Sequence, residues 1–159
     1  MKASIKKGLG FGITSGIITT LGLIIGLNAG THLKSVILGG ILIIAIADSM
    51  SDSLGMHISE EAGHKVISNR AVWESTISTF IFKLIFALSF IIPILLFELN
   101  TAIIISLFWG LLLLTGFSYY VAKDRGLNPM KVISEHLIIA ILVISATHFV
   151  GSLINNIFV

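Results

Sequence analysis

No cysteine occurs in the 159 residues, so disulfides and thiolate metal sites are excluded. Charge is scarce as well: 11% of the residues are Asp, Glu, Lys or Arg, less than half of the roughly 25% usual in a soluble domain. Hydrophobic residues make up 55%, and the mean hydropathy is +1.04, so lipid is the expected solvent. The net charge is only +2, and the basic residues flank apolar segments instead of forming a patch. Nucleic acid is therefore excluded as a partner. There are just two prolines and no low-complexity segment, and a single transmembrane domain over residues 1–159 is expected.

Five apolar stretches are long enough to cross a hydrocarbon core of about 30 Å, which takes about 20 helical residues. They lie near Leu9–Ala29, Ser35–Met56, Thr76–Phe97, Ala102–Val121 and Ile133–Phe158. The fold class is thus an all-α membrane protein of five transmembrane helices. Gly30–Lys34 joins the first two spans, and Glu98–Asn100 makes a tight hairpin of the third and fourth. Asn128 and Pro129 are the N-cap and first residue expected of the fifth. Pro93 predicts a kink near the end of the third span. The apolar run after Lys7 continues to about Ala29, too long for a signal-peptide core of roughly 7–15 residues, and reads as a retained first span.

Lys and Arg set the expected orientation. With the N-terminus cytoplasmic, the inner segments hold eight of them (Lys2, Lys6, Lys7, Lys65, Arg70, Lys123, Arg125, Lys131), and the outer segments hold only Lys34. The C-terminus then lies outside. Trp73, Tyr119 and Tyr120 fall at the inner interface, where amphipathic aromatics are favoured. The tenth basic residue, Lys83, lies within the third span.

Asp48, Asp52 and Met56 follow one another at intervals of four in the second span, which stacks them along one side of a helix. Carboxylates at membrane depth are costly and mark functional sites. Their oxygens suit divalent cations, and a thioether biases the set toward softer first-row metals. Protons compete with metal for the same oxygens, so the ladder has the minimum chemistry of proton–metal exchange. The structural alternative is that the two acids pair with Lys83 or bridge polar gaps between helices. Below the ladder, His57, Glu60, Glu61 and His64 share a helical face and could collect a transition metal, or form an ordinary solvated helix end. Their order is not H-E-x-x-H, which excludes a zinc-protease reading.

The first span carries Gly8, Gly12 and Gly16, then Gly22, Gly26 and Gly30. Small residues every four positions let helices approach closely. The step from Gly16 to Gly22 turns by about 240° net, so the two sets serve different faces, one within the subunit and one toward a partner. Ser15 and Thr19 place hydroxyls beside them. On the fifth span, Ser145, His148 and Ser152 share a face, with His148 a candidate ligand or a hydrogen-bonded packing residue. Glu135 and His136 open that span at its inner end.

Gly12-Ile-Thr-Ser-Gly-Ile-Ile-Thr-Thr20 resembles the first-span motif G-x-x-D-G-x-x-T-T of the vacuolar iron transporter family. Ala47-Asp-Ser-Met-Ser-Asp-Ser-Leu-Gly-Met-His-Ile-Ser59 resembles its second-span motif A-D-x-x-S-M-x-x-G-E-Y-x-S. The five-span plan is similar too. The resemblance implies a homodimer that exchanges Fe²⁺ or Mn²⁺ for protons along a path between the two first spans. Asp48, Ser51, Gly55 and Ser59 match the motif directly. Ser15 stands at the position of the first-span acid, Asp52 at that of the Met, and Met56 at that of the acid in G-E-Y. The family's Glu-rich cytosolic domain is missing from this chain.

The expected function is therefore proton-coupled export of Fe²⁺ or Mn²⁺ from the cytosol, by an integral membrane protein of a prokaryotic plasma membrane. The partners are lipid, divalent metal, protons and a second copy. No tightly bound cofactor and no enzymatic activity are expected. The metal residues are Asp48, Asp52, Met56, His57, Glu60, Glu61 and His64. Ser15, Thr19, Ser51 and His148 line the path, and Gly12, Gly16, Gly22 and Gly26 pack helices. One rival is a non-transporting membrane scaffold, whose mark would be Asp48 and Asp52 each paired to a base, or buried without a metal or a water path. The other is a Mg²⁺-dependent intramembrane transferase, for which three Asp and one intramembrane base are too few groups.

Overall fold

Apolar runs of this length cross lipid as helices because no water is present to satisfy their backbone N–H and C=O groups. A computed structural model describes residues 1–63 and 68–158. It contains α1 (Ala3–Thr31), α2 (Lys34–Glu61), α3 (Asn69–Ser89), α4 (Ile91–Leu96), α5 (Leu99–Asp124) and α6 (Pro129–Phe158), with no strand among the described residues. Five helical segments are long and apolar enough to span, α3 and α4 together forming one of them. The protein is an integral membrane protein by this measure. At 1.5 Å per residue the helices reach about 40 Å, beyond a hydrocarbon core of about 30 Å. They run further than the apolar stretches alone predict, long enough for their ends to reach the headgroup level.

The boundaries have local causes. Pro93 lacks the N–H that would bond Ser89, and its ring crowds that carbonyl. The helix accordingly breaks at Phe90, between α3 and α4. The Asn128 side chain accepts from the Met130 N–H at 3.0 Å, so Asn128 caps α6 and Pro129 occupies its first position. Gly126, between α5 and α6, has φ +66°, a left-handed conformation that costs other L-residues about 1–2 kcal/mol. Gly126→Ala should lower stability by about 1 kcal/mol, read as an earlier thermal unfolding of the detergent-solubilised protein.

The helices pack around α1. It contacts α2, α3, α5 and α6, and α2 also packs on α3, and α5 on α6. In the most apolar stretch of α1, 56% of the residues are buried, against 11% for α6. The two glycine sets make this centrality possible. A Cβ on Gly8, Gly12 or Gly16 would fall 2.2, 2.6 or 2.9 Å from backbone carbonyl oxygens of α3. The second set faces α6: a Cβ on Gly26 would lie 3.2 Å from the Thr147 carbonyl, and one on Gly151 would lie 2.2 Å from the Gly26 carbonyl. One of the two glycine faces is expected to meet a partner, but both are occupied within the chain, the first by α3 and the second by α6. Ile17, Leu21, Ile24, Ile37, Ile41 and Leu114 fill the core between these crossings.

Lys2, Lys6, Lys7, Arg70, Lys123 and Arg125 cluster at the end of the bundle that carries the N-terminus. Here α1 is tied to three helices. Lys2 and Ser4 bond Glu74 of α3, Lys6 lies 2.6 Å from Asp124 of α5, and Lys7 lies 2.9 Å from Glu60 of α2. At the opposite end, Lys34 donates to the Phe97 carbonyl at 2.9 Å, where a cation complements the negative end of α4.

Candidate functional site: a lysine between two carboxylates

Three helices bring polar side chains to one level. Ser15 is twelve residues into α1 and Lys83 fourteen into α3, about 18 and 21 Å from helix starts on the same side. Helix α2 runs the other way, with Asp52 nine residues and Asp48 thirteen from its end, about 14 and 20 Å. All four therefore lie toward the middle of the bundle. The close α1–α3 crossing holds Ser15 against Lys83: the Gly16 position abuts the Lys83 carbonyl.

Lys83 is 1% exposed. Its ammonium donates to Asp52 Oδ2 and to Ser15 Oγ, the latter at 2.9 Å. Ser15 in turn donates to Asp52 Oδ2 at 2.7 Å. The Lys83 Nζ also lies 2.5 Å from Asp48 Oδ2, but outside hydrogen-bond angles, so that oxygen has ionic contact and no hydrogen-bond partner. Two carboxylates thus share one ammonium, and one negative charge is left over. The carboxylates are less enclosed than the lysine: Asp48 is 29% and Asp52 23% exposed.

A groove of about 780 Å³ between α1 and α2 reaches this cluster. Its walls include Leu23, Leu27, Val36 and Ile43, and its polar lining residues are Asp48 and Ser51. The groove is open along its length and places Asp48 at its polar end.

The ladder itself is divided. Four residues of α-helix turn 400°, so each rung drifts by about 40°. Asp48 and Asp52 both meet Lys83, while Met56, a turn further on, is buried and lines a different cavity with Phe117 and Tyr120. The helix-end residues diverge as well. His57 Nδ1 lies 3.0 Å from Thr76 Oγ1, Nε2 lies 3.4 Å from Glu61, and the ring stands edge-on to Trp73 at 4.8 Å. Glu60 turns away, 7% exposed, to Lys7. His64 lies outside the described residues. Among the described residues, no three His, Asp or Glu side chains are placed together to hold a metal ion.

Of the other path residues, Ser15 joins the cluster and Ser51 lines the groove, whereas Thr19 bonds the Ser15 carbonyl of its own helix at 2.8 Å. His148 is exposed on the surface of α6, beside Thr147, which meets α1 in its place. His136 is engaged by Ser118 at 2.7 Å. The residue whose role sequence reasoning left undecided is Lys83. Its signal was a single base within an apolar span, and its two partners lie on another helix. Set against family models and against curated proteins, the chain matches none of either.

Proposed function

We propose that this protein is a proton-coupled carrier of a divalent transition metal, Fe²⁺ or Mn²⁺, in which Asp48 and Asp52 receive the cation and Lys83 fills the site between loads. The observation that carries this reading is the surplus charge: two carboxylates at membrane depth share one buried ammonium. An unbalanced negative site in lipid is costly and attracts a cation or a proton. Lys83 is a tethered cation, and a mobile metal competes for the same oxygens. The groove beside Asp48 supplies access. With the N-terminus cytoplasmic, as the basic end suggests, the direction is export.

The motif resemblance to the vacuolar iron transporter family supports the same reading. At the position of that family's first-span acid, Ser15 bonds Asp52, so Asp52 takes over the second carboxylate from α2. A homodimer is part of this reading. The groove between α1 and α2 then faces the second copy, and ion transfer is shielded from lipid.

A second reading, a membrane scaffold, is favoured by one observation: Lys83 touches both acids. It makes the triad a tie between α2 and α3. Proteoliposome flux separates the two. Asp52→Asn and Asp48→Asn should each cut Fe²⁺ or Mn²⁺ uptake by tenfold or more while the protein stays folded. Full flux through folded Asp48→Asn and Asp52→Asn proteins would remove the site assignment, and absence of flux from the native chain would leave the scaffold.

A further inference from the structure

We propose that the basic end of the bundle holds an anionic phospholipid. A cavity of about 760 Å³ opens there between α1, α2, α5 and α6, a size that accommodates a drug-sized ligand. Its lining is layered along the helix axes. Lys6, Lys7, Asp124 and Arg125 form the rim, near the helix ends, and Leu9, Phe11, Met56 and Phe117 form the wall deeper in. That is the polarity order of a headgroup above an acyl chain.

The charge of the rim selects the sign of the ligand. Lys6 is matched by Asp124 at 2.6 Å and Lys7 by Glu60 at 2.9 Å. The Arg125 side chain is exposed and makes no ion pair or hydrogen bond among the described residues. His136, at the back of the cavity, is already engaged by Ser118. The uncommitted side-chain charge is therefore one guanidinium, beside the Met1 amino group that also lines the cavity, and its planar fork suits a phosphate. A rim of this sign favours an anion over a divalent cation, although Met56 lies in its wall. A free phosphate would leave the aromatic wall wet. A phospholipid uses both parts, its phosphate on Arg125 and a chain along Phe11 and Phe117. Basic pockets between membrane helices are where such headgroups bind.

The test is lipid binding to the full chain in detergent, followed by native mass spectrometry with phosphatidylglycerol and phosphatidylcholine of identical chains. The native protein should hold phosphatidylglycerol about fivefold or more tightly over phosphatidylcholine, the worth of one basic residue at an anionic headgroup. Arg125→Gln, an exposed change that leaves the fold intact, should abolish that preference. Phe117→Gln should weaken both lipids, and Lys34→Gln at the opposite end should change neither. Equal binding of the two lipids by the native chain, or a preference that survives Arg125→Gln, overturns the proposal. Displacement of phosphatidylglycerol by millimolar inorganic phosphate also overturns it, because the cavity is then an anion site and not a lipid site.

Discussion

Lys83→Met should unfold or severely destabilise the bundle, and adding Asp48→Asn and Asp52→Asn to it should restore folding without restoring metal flux. Lys83 is enclosed on all sides, and its ammonium is the one cation in contact with either carboxylate among the described residues. Removing one partner from a buried ion pair costs about 3–5 kcal/mol, because the remaining charge is left without compensation. Here two carboxylates, 29% and 23% exposed, would be left side by side, which puts the loss at the low end of that range. Neutralising the whole set is close to neutral for stability by the same reasoning, since methionine fills the volume of the lysine stem and the amides can hydrogen-bond Ser15. Thermal unfolding followed by circular dichroism in detergent reads the first effect, and proteoliposome flux reads the second. A Lys83→Met protein that melts like the native one would show that the ammonium does not hold the carboxylates in place. A triple variant that folds and transports would remove the charged groups from the mechanism.

The second large effect concerns the α1–α3 crossing. Gly12→Leu should separate these helices and take the lysine site with it, whereas Gly10→Ala, two residues earlier on the same helix, should be neutral or slightly stabilising. A Cβ at position 12 falls 2.6 Å from the Thr79 carbonyl oxygen and 3.1 Å from the Lys83 amide nitrogen. Both are backbone atoms of a helix, so neither can step aside as a side-chain tip can. Overpacking of this kind costs about 1–3 kcal/mol for small additions, and a leucine adds three more carbons. Position 10 meets nothing within 4 Å, so alanine there gains helix propensity of about 0.5–1 kcal/mol and loses no contact. Gly55 is open in the same way, and Gly55→Ala should be tolerated for the same reason. Unfolding temperatures of Gly12→Leu, Gly10→Ala and Gly55→Ala, measured together, check the contrast. Equal loss in all three would mean that glycine content, and not the crossing, limits stability.

Much of the helical plan was legible because its causes are local. The Pro93 break and the Asn128–Pro129 start each depend on groups within one turn of the backbone. The two glycine faces follow from the rotation between Gly16 and Gly22, and their existence could be read from spacing alone. Their partners could not: α6 takes the second face because the chain turns back at Gly126 and lays Thr147 and Gly151 on α1. The helix-end residues show the same limit. Glu60 and His57 lie on nearby faces by spacing, yet Lys7 draws Glu60 to α1 while Thr76 and Trp73 keep His57 against α3.

By itself the sequence determined that this chain lives in lipid, that it crosses as five helices, and that its rare charges at membrane depth mark the place to look. Those conclusions rest on hydropathy, length and the cost of burying charge. Only the tertiary structure decided that Asp48 and Asp52 converge on Lys83, with Ser15 as the bridge and Met56 turned to another cavity. Spacing along a helix sets the direction in which a side chain points. What stands opposite depends on which helix packs there and at what height, and for Lys83 that was set by three glycines on α1 that bring α3 within backbone contact.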